Sequence, residues 1–279
     1  MHGGLRASLV RRVRAWWWAL WLPIGRWPFV RAWRGSHLRR LEPLGGGRSR
    51  GTPVVRYYWR RFLDAHAADV QGRCVEVGSA ASALSVNRHA EVDVLDLAPR
   101  DGVTVVANIS RADGLASNTY DCAIVPFTMH LIYDVDAALY HVLRILKPGG
   151  VLLANFPCVD YYFPTGLDMG TGTPLFVHHW FTPIEVENRM RTAGLTEKDF
   201  AVTIDGNLFA RVAYQMNLPA EELTGDERDR ADAGHPLLIC VRAMKPNRWN
   251  GVRPVYQDPW LPAGPATTWN ERDGHYARR

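Results

Sequence analysis

Acidic residues are nearly missing from the first fifty positions, where Glu42 stands alone against eleven arginines. The rest of the chain holds 22 of the 33 basic and 27 of the 28 acidic residues, so a strongly basic head precedes a mildly acidic body. A body of that sign offers phosphates no attractive field, and no nucleic-acid partner is expected despite a net charge of +5. Long apolar runs are also missing. The one candidate, Ala15 to Gly25, is short of the ~20 residues that a bilayer-spanning helix needs, and no small-residue cleavage site follows it. Cysteine is scarce: Cys74, Cys122, Cys158 and Cys240 form no CxxC pair, and three of them lie in strand-like runs. That usage fits buried free thiols in a reducing cytoplasm, and no metal site is expected.

What is present suits one large α/β domain with appendages within 279 residues. In residues 5–22, Leu5, Leu9, Val13, Trp16, Trp17 and Leu20 recur at helical spacing beside Arg11, Arg12 and Arg14, and Pro23 ends the helix. Arginine flanks with indole rings are the composition of an interfacial anchor, which would place the protein at the inner membrane face. A helix packed on the domain or on a partner, or a start codon placed too early, accounts for the same residues. The stretch GGGRSRGTP, Gly45 to Pro53, reads as a linker, and residues 247–279, rich in Pro, Trp, Asn and Arg, as a tail that is partly disordered or wraps the body. The expected organisation is therefore 1–50 extension, 51–246 α/β domain and 247–279 tail.

Within the body, periodicity predicts a helix over 55–71 closed by Gly72, a buried strand CVEV and a turn at Gly78. A helix over 79–88 and the strand Glu91 to Leu97 follow. Strands are expected at Gly102 to Asn108, Tyr120 to Phe127 and Val151 to Phe156, with KPGG ending the helix before the last of these. Thr182, Pro183 and Glu185 predict a capped helix closed by Gly194; FAVTID, a helical GNLFARVAYQMN and a final strand Pro236 to Met244 complete the order. The pattern implies a doubly wound, Rossmann-like, mostly parallel seven-stranded sheet with helices on both faces. The link Ala98 to Asp101 is too short for an ordinary parallel crossover.

Ligands of such sheets bind at the carboxyl ends of the strands. Strand one ends at Glu76 and Gly78, followed by the small residues Ser79 and Ala80, which let a backbone approach a ligand closely. A packing turn would look the same. Asp96, 18 residues past Gly78, begins DLAP with Leu97 and has the oxygens to hold a ribose diol. Asn108, Ile109 and Phe127 close the next strands and can supply an amide and apolar walls to an adenine.

In order, Glu76 with Gly78, Asp96 in DLAP, Asn108, Tyr120 with Asp121 and RILKPGG at Arg144 to Gly150 resemble the class I S-adenosylmethionine-dependent methyltransferases, especially their type 11 branch, over roughly residues 55–245. The resemblance implies S-adenosyl-L-methionine as cofactor, bound by Glu76, Gly78, Ser79, Ala80, Asp96, Leu97, Asn108, Ile109 and Phe127. The loop departs from the family in keeping one glycine, and Asn108 stands where an aspartate is usual. HHWFTP, His178 to Pro183, and MNLPAEELT, Met216 to Thr224, are similar to members found beside glycosyltransferases in bacterial polysaccharide biosynthesis. That implies O-methylation of a saccharide, glycolipid or other small acceptor. Removing a hydroxyl proton needs a base, for which His130, Asp160, His178 and His179 are candidates. A non-catalytic adaptor in a polysaccharide-synthesis complex and an NAD(P)-dependent oxidoreductase are the alternatives. The long segment Cys158 to Phe181 has the length of a functional lid.

Overall fold

The structure is a computed structural model that describes residues 27–30, 42–44, 51–160, 175–258, 267–270 and 275–278. The basic helix expected over 5–22 and most of the expected lid, 161–174, lie outside the described residues. No helix among the described residues is long and apolar enough to cross a membrane.

Seven strands form one sheet in the order β3-β2-β1-β4-β5-β7-β6. They are β1 (Arg73–Val77), β2 (Glu91–Asp96), β3 (Val105–Val106), β4 (Tyr120–Val125), β5 (Leu146–Pro157), β6 (Phe200–Asp205) and β7 (Leu238–Met244). The first five run parallel, and β7 inserts antiparallel between β5 and β6. Consecutive side chains of β1, β4 and β5 are buried, and because neighbours in a strand face opposite ways, this requires cover on both faces. The helices are α1 (Val54–Ala65), α2 (Ala81–Val86), α3 (Val135–Ile145), α4 (Pro183–Thr192), α5 (Leu208–Gln215) and α6 (Gly225–Asp229). A hairpin of β8 (Thr267–Asn270) and β9 (His275–Arg278) lies in the tail.

The short link after β2 has a geometric explanation. β3 is only two residues long and pairs with the last two positions of β2, Leu95 and Asp96. The chain must therefore retreat by only about two residue rises of ~3.3 Å before it runs forward again. A turn at Gly102, φ +84°, with Val103 N–H bonded to the Arg100 carbonyl, achieves this without a helix. The expected strand from Gly102 was too long for the same reason.

LKPGG belongs to β5, not to the end of α3. Leu146 pairs with Tyr120, and the register shifts between Tyr120 and Cys122 to admit the extra residues. Lys147 Nζ holds both oxygens of Asp121 at 2.8 Å, and Asp121 also accepts the Arg73 N–H. The lysine bond, chiefly, holds the Asp121 carboxyl below its ordinary pKa. A Cβ on Gly150 would stand 2.9 Å from the Lys147 carbonyl and 3.1 Å from those of Tyr120 and Asp121, closer than a side chain tolerates. Both of these family-like motifs thus tie the start of β5 to β4. The carbonyls ending α3 are met by buried Lys245, whose Nζ donates to Leu146 and Arg144 carbonyls at 2.7 and 3.2 Å.

The chain divides into two compact units, Met1–Tyr58 with Gly206–Leu237, and Trp59–Asp205 with Leu238–Arg279. Residues between β6 and β7 leave the sheet, so they group with the segment preceding it. In the first unit the Thr52 N–H donates to Glu221, and Tyr57 Oη donates to Asp229 at 2.7 Å. Thr224 and Glu227 form a reciprocal cap on α6. The second unit contains the whole seven-stranded sheet, the main apolar core and the described tail. Cys74, Cys122 and Cys240 are buried free thiols, and Cys158 is half-buried.

Candidate active site

The turn after β1 is built around a buried carboxylate. Glu76 is fully buried, and its oxygens accept the N–H groups of Ser82 and Ala83 at 2.9 and 2.8 Å, meeting two of the orphan donors at the start of α2. These two contacts make it a strut of the turn. Gly78 sits at φ +88° and its N–H bonds the Leu95 carbonyl, locking β1 to β2. A Cβ added there would meet only Arg100 Nη2, at 4.0 Å, so the turn is open in that direction. Ser79 is exposed at this opening, whereas Ala80 packs against Val94, Val103 and Val106. Trp59 braces the turn, with Nε1 3.2 Å from Ser82 Oγ and its ring against Phe62 and Phe127.

Asp96 and Asn108 stand at the neighbouring strand ends, as the sequence predicts. Each is engaged by a residue that the sequence analysis did not single out. Asp96 accepts the Leu97 N–H on Oδ1, while Arg100 grips Oδ2 through Nε and Nη2 and also bonds the Gly78 carbonyl at 2.6 Å. Asn108 Oδ1 accepts the Ser110 N–H at 2.9 Å, and Nδ2 donates to Tyr256 Oη at 3.1 Å. Tyr256 lies in the aperiodic tail, where no pattern marked it. Leu97 is half-buried beside Asp96. Ile109, expected as an adenine wall, is 5% exposed and belongs to the main core.

Phe127, two residues past the end of β4, sits in the left-handed region at φ +47°. Its N–H is held by Asn155 Oδ1 at 2.9 Å, from a fully buried amide on β5. A non-glycine residue in this region costs ~1–3 kcal/mol, and such strain concentrates at functional sites.

Beyond this kink all four candidate bases come together. His130 Nε2 lies 3.4 Å from Asp160 Oδ2. The His130 carbonyl accepts the N–H of His178 at 2.8 Å and of His179 at 3.3 Å. The His178 and His179 rings are 6.4 Å apart, and Tyr133 packs edge-on against His178. Burial pushes the His130 imidazole down to about 4, against the opposing pull of Asp160, so it is neutral near pH 7. Asp160 beside Nε2 selects the Nε2–H tautomer and leaves the Nδ1 lone pair as proton acceptor. Nδ1 is buried without a hydrogen-bond partner among the described residues. Burial also lowers His178, with Asp258 opposing.

Two expectations follow. Folding depresses the His130 pKa, so the unfolded chain binds more protons between pH ~6.5 and ~4, and stability must fall as pH drops through that window. His130→Gln should reduce this pH dependence, measured by urea unfolding, by up to about 3 kcal/mol; an unchanged pH dependence would contradict the burial argument. Arg100 uses lone pairs that a ribose diol would need, so Arg100→Ala should tighten S-adenosylhomocysteine binding roughly three- to tenfold in calorimetry. Weaker binding would show that Arg100 assists the site instead.

Residues 56–154 match a family described as a methyltransferase domain. Demethylmenaquinone methyltransferase of Thermobifida fusca is 41% identical over 56 residues, covering 20% of this chain and 24% of that protein. A ubiquinone/menaquinone biosynthesis C-methyltransferase of Haemophilus ducreyi is 40% identical over 55 residues, 18% and 21% of the two chains. The chain thus spans a quarter or less of the length of these curated relatives. Among solved structures, a SAM-dependent methyltransferase from Archaeoglobus fulgidus aligns with a TM-score of 0.44 at 13% identity, covering 68% of this chain and 94% of that one. One from Mesorhizobium loti aligns with a TM-score of 0.43 at 19% identity, covering 68% and 97%. The chain therefore carries, over residues 56–154, a match to a methyltransferase domain, in the stretch that holds Gly78, Asp96, Asn108, Phe127 and His130.

Proposed function

We propose that the protein is an S-adenosylmethionine-dependent methyltransferase acting on a hydroxyl of a saccharide, glycolipid or other small acceptor, with His130 as general base. One observation carries the reading. Along a single carboxyl edge of the sheet lie an open glycine turn with Asp96 and Asn108 and, past the end of β4, a buried imidazole whose Nδ1 has no hydrogen-bond partner among the described residues. The residues fit the cofactor by chemistry: a carboxylate for ribose hydroxyls, an amide oxygen for an adenine amine, and space at Gly78 for close backbone approach.

When bound, S-adenosylmethionine supplies a methyl group already activated on a sulfonium. The chain has to align the acceptor, exclude water and remove its proton. His130 Nδ1 receives the hydroxyl proton, and Asp160 steadies the resulting imidazolium from the other side of the ring. Exposed Trp180 and Tyr133, next to the histidine cluster, offer flat faces for a sugar or aromatic ring. One similar protein is named a demethylmenaquinone methyltransferase and another a ubiquinone/menaquinone biosynthesis C-methyltransferase, so ring acceptors such as phenols and quinones belong in any screen. The basic, tryptophan-rich segment 5–22 would hold the protein near an anionic membrane surface where a glycolipid is met.

A second reading has its own support. Arg100 on Asp96 and Tyr256 on Asn108 occupy both anchors, as they would in a cofactor-free adaptor of a polysaccharide-synthesis complex. The full chain, given methyl-labelled S-adenosylmethionine with panels of saccharides and phenols, separates the two. The enzyme reading predicts label transfer to a hydroxyl, falling about 10²- to 10⁴-fold in kcat in His130→Gln while S-adenosylhomocysteine affinity is unchanged. Transfer indifferent to His130→Gln removes the base assignment, and failure to bind S-adenosylhomocysteine replaces the enzyme with the adaptor.

A further inference from the structure

β7 runs antiparallel to β5, so the chain leaves the sheet at the amino ends of the parallel strands, opposite the candidate site. Residues 249–258 bring it back as a strap. At its start, Trp249 Nε1 donates to the Ala193 carbonyl at 2.8 Å and the indole lies 5.4 Å from the Tyr140 ring. Further on, Arg253 pairs with Asp113 at 2.6 Å, and Tyr256 Oη lies 3.1 Å from Asn108 Nδ2 across 148 residues of sequence. The strap thus arrives at the strand end where Asn108 stands. Asp258, at its far end, is near enough to His178 for its charge to oppose the lowering that burial imposes on that imidazole.

One carboxylate gathers the end of the strap. Asp134 Oδ2 accepts the N–H groups of both Gln257 and Asp258 at 2.8 Å. Asp134 is the N-cap residue of α3, a place where an aspartate ordinarily bonds the helix's own amides, yet its side chain makes no capping bond. Its acceptor oxygen serves the strap instead. Val252 and Val255 are 81% and 77% exposed, so this stretch buries little apolar surface and depends on its polar fastenings. A segment of that kind opens at low cost once a fastening is lost.

We propose that Asp134 is a positioning residue for the cofactor, holding the strap closed as a retaining wall over the base subsite at Asn108. The inference rests on the reading of this edge as an S-adenosylmethionine site. The strap meets Asn108 at Nδ2, whereas the adenine amine is assigned to Oδ1, an oxygen with capacity for a second bond beside that from the Ser110 N–H. Wall and base therefore do not compete for one atom, and the cofactor is retained with the strap in place. Release requires the strap to lift, and Asp134 sets how often it does.

The test reads strap and ligand separately in the full chain. Chymotryptic cleavage after Tyr256, located by mass spectrometry, reports strap opening. Dissociation of S-adenosylhomocysteine, followed by surface plasmon resonance, reports release. The proposal predicts that Asp134→Ala raises both rates about tenfold, while Asp134→Asn, which keeps an acceptor oxygen, stays within about threefold of the wild type. S-adenosylhomocysteine should also protect the wild type from cleavage after Tyr256. Arg253→Ala, which removes a fastening away from α3, should shift both rates the same way and keeps the test decisive if Asp134→Ala does not fold. Faster cleavage with unchanged dissociation would place the strap away from the ligand, and unchanged cleavage would show that Asp134 does not hold it. Tighter ligand binding in Asp134→Ala would make the strap a plug. Each of these overturns the proposal. A wild type that does not bind S-adenosylhomocysteine in calorimetry removes the cofactor reading itself, and this inference with it.

Discussion

A buried carboxylate sets the geometry of the site edge. Glu76 is fully buried, and the Ser82 and Ala83 amides on its two oxygens offset part of the cost of burying that charge. Those bonds draw the first turn of α2 onto the end of β1 and force the chain to reverse within Gly78, Ser79 and Ala80. One left-handed glycine suffices for that reversal, which is why this turn works with so few. Trp59 and Arg100 then brace the turn from two directions, through Ser82 and through the Gly78 carbonyl.

Parallel pairing of β1 with β2 and β4, and of β2 with β3, puts the ends of all four strands along one edge. Chemistry-bearing residues scattered from Gly78 to His130 in sequence become neighbours for that reason alone. The edge is also where the chain departs from comfortable geometry. Phe127 is held left-handed by Asn155 Oδ1, while Asn155 Nδ2 and His130 Nδ1 are buried without partners among the described residues. Backbone strain of this kind concentrates at functional sites.

Much of this was legible from residue order. Alternating apolar runs and turn residues locate five of the seven sheet strands closely, and FAVTID coincides with β6. β3 was overextended because burial of Val103, Val105 and Val106 looks like a strand, whereas only two residues find a partner. LKPGG reads as a helix stop, yet Lys147 bonds a β4 aspartate and Gly150 allows close backbone approach, tertiary facts with no local signature. At the site, Asp96 and Asn108 stand at or just past the strand ends where the alternation of strands and helices puts them. Glu76 and Ile109 turn inward because helix amides and the core claim them first. Asn155 was visible only as a lone amide in an apolar run, and Tyr256 not at all, since its contact spans the chain.

The account stands on the claim that this edge binds an adenosyl cofactor through Asp96. The most direct measurement is calorimetric titration of the purified full chain with S-adenosylhomocysteine, beside an Asp96→Ala variant of verified fold. The account predicts one-site binding to the wild type, weakened about 10- to 100-fold in Asp96→Ala as the charged hydrogen bonds to the ribose are lost. A well-folded wild type that does not bind, or a variant that binds equally well, would contradict it.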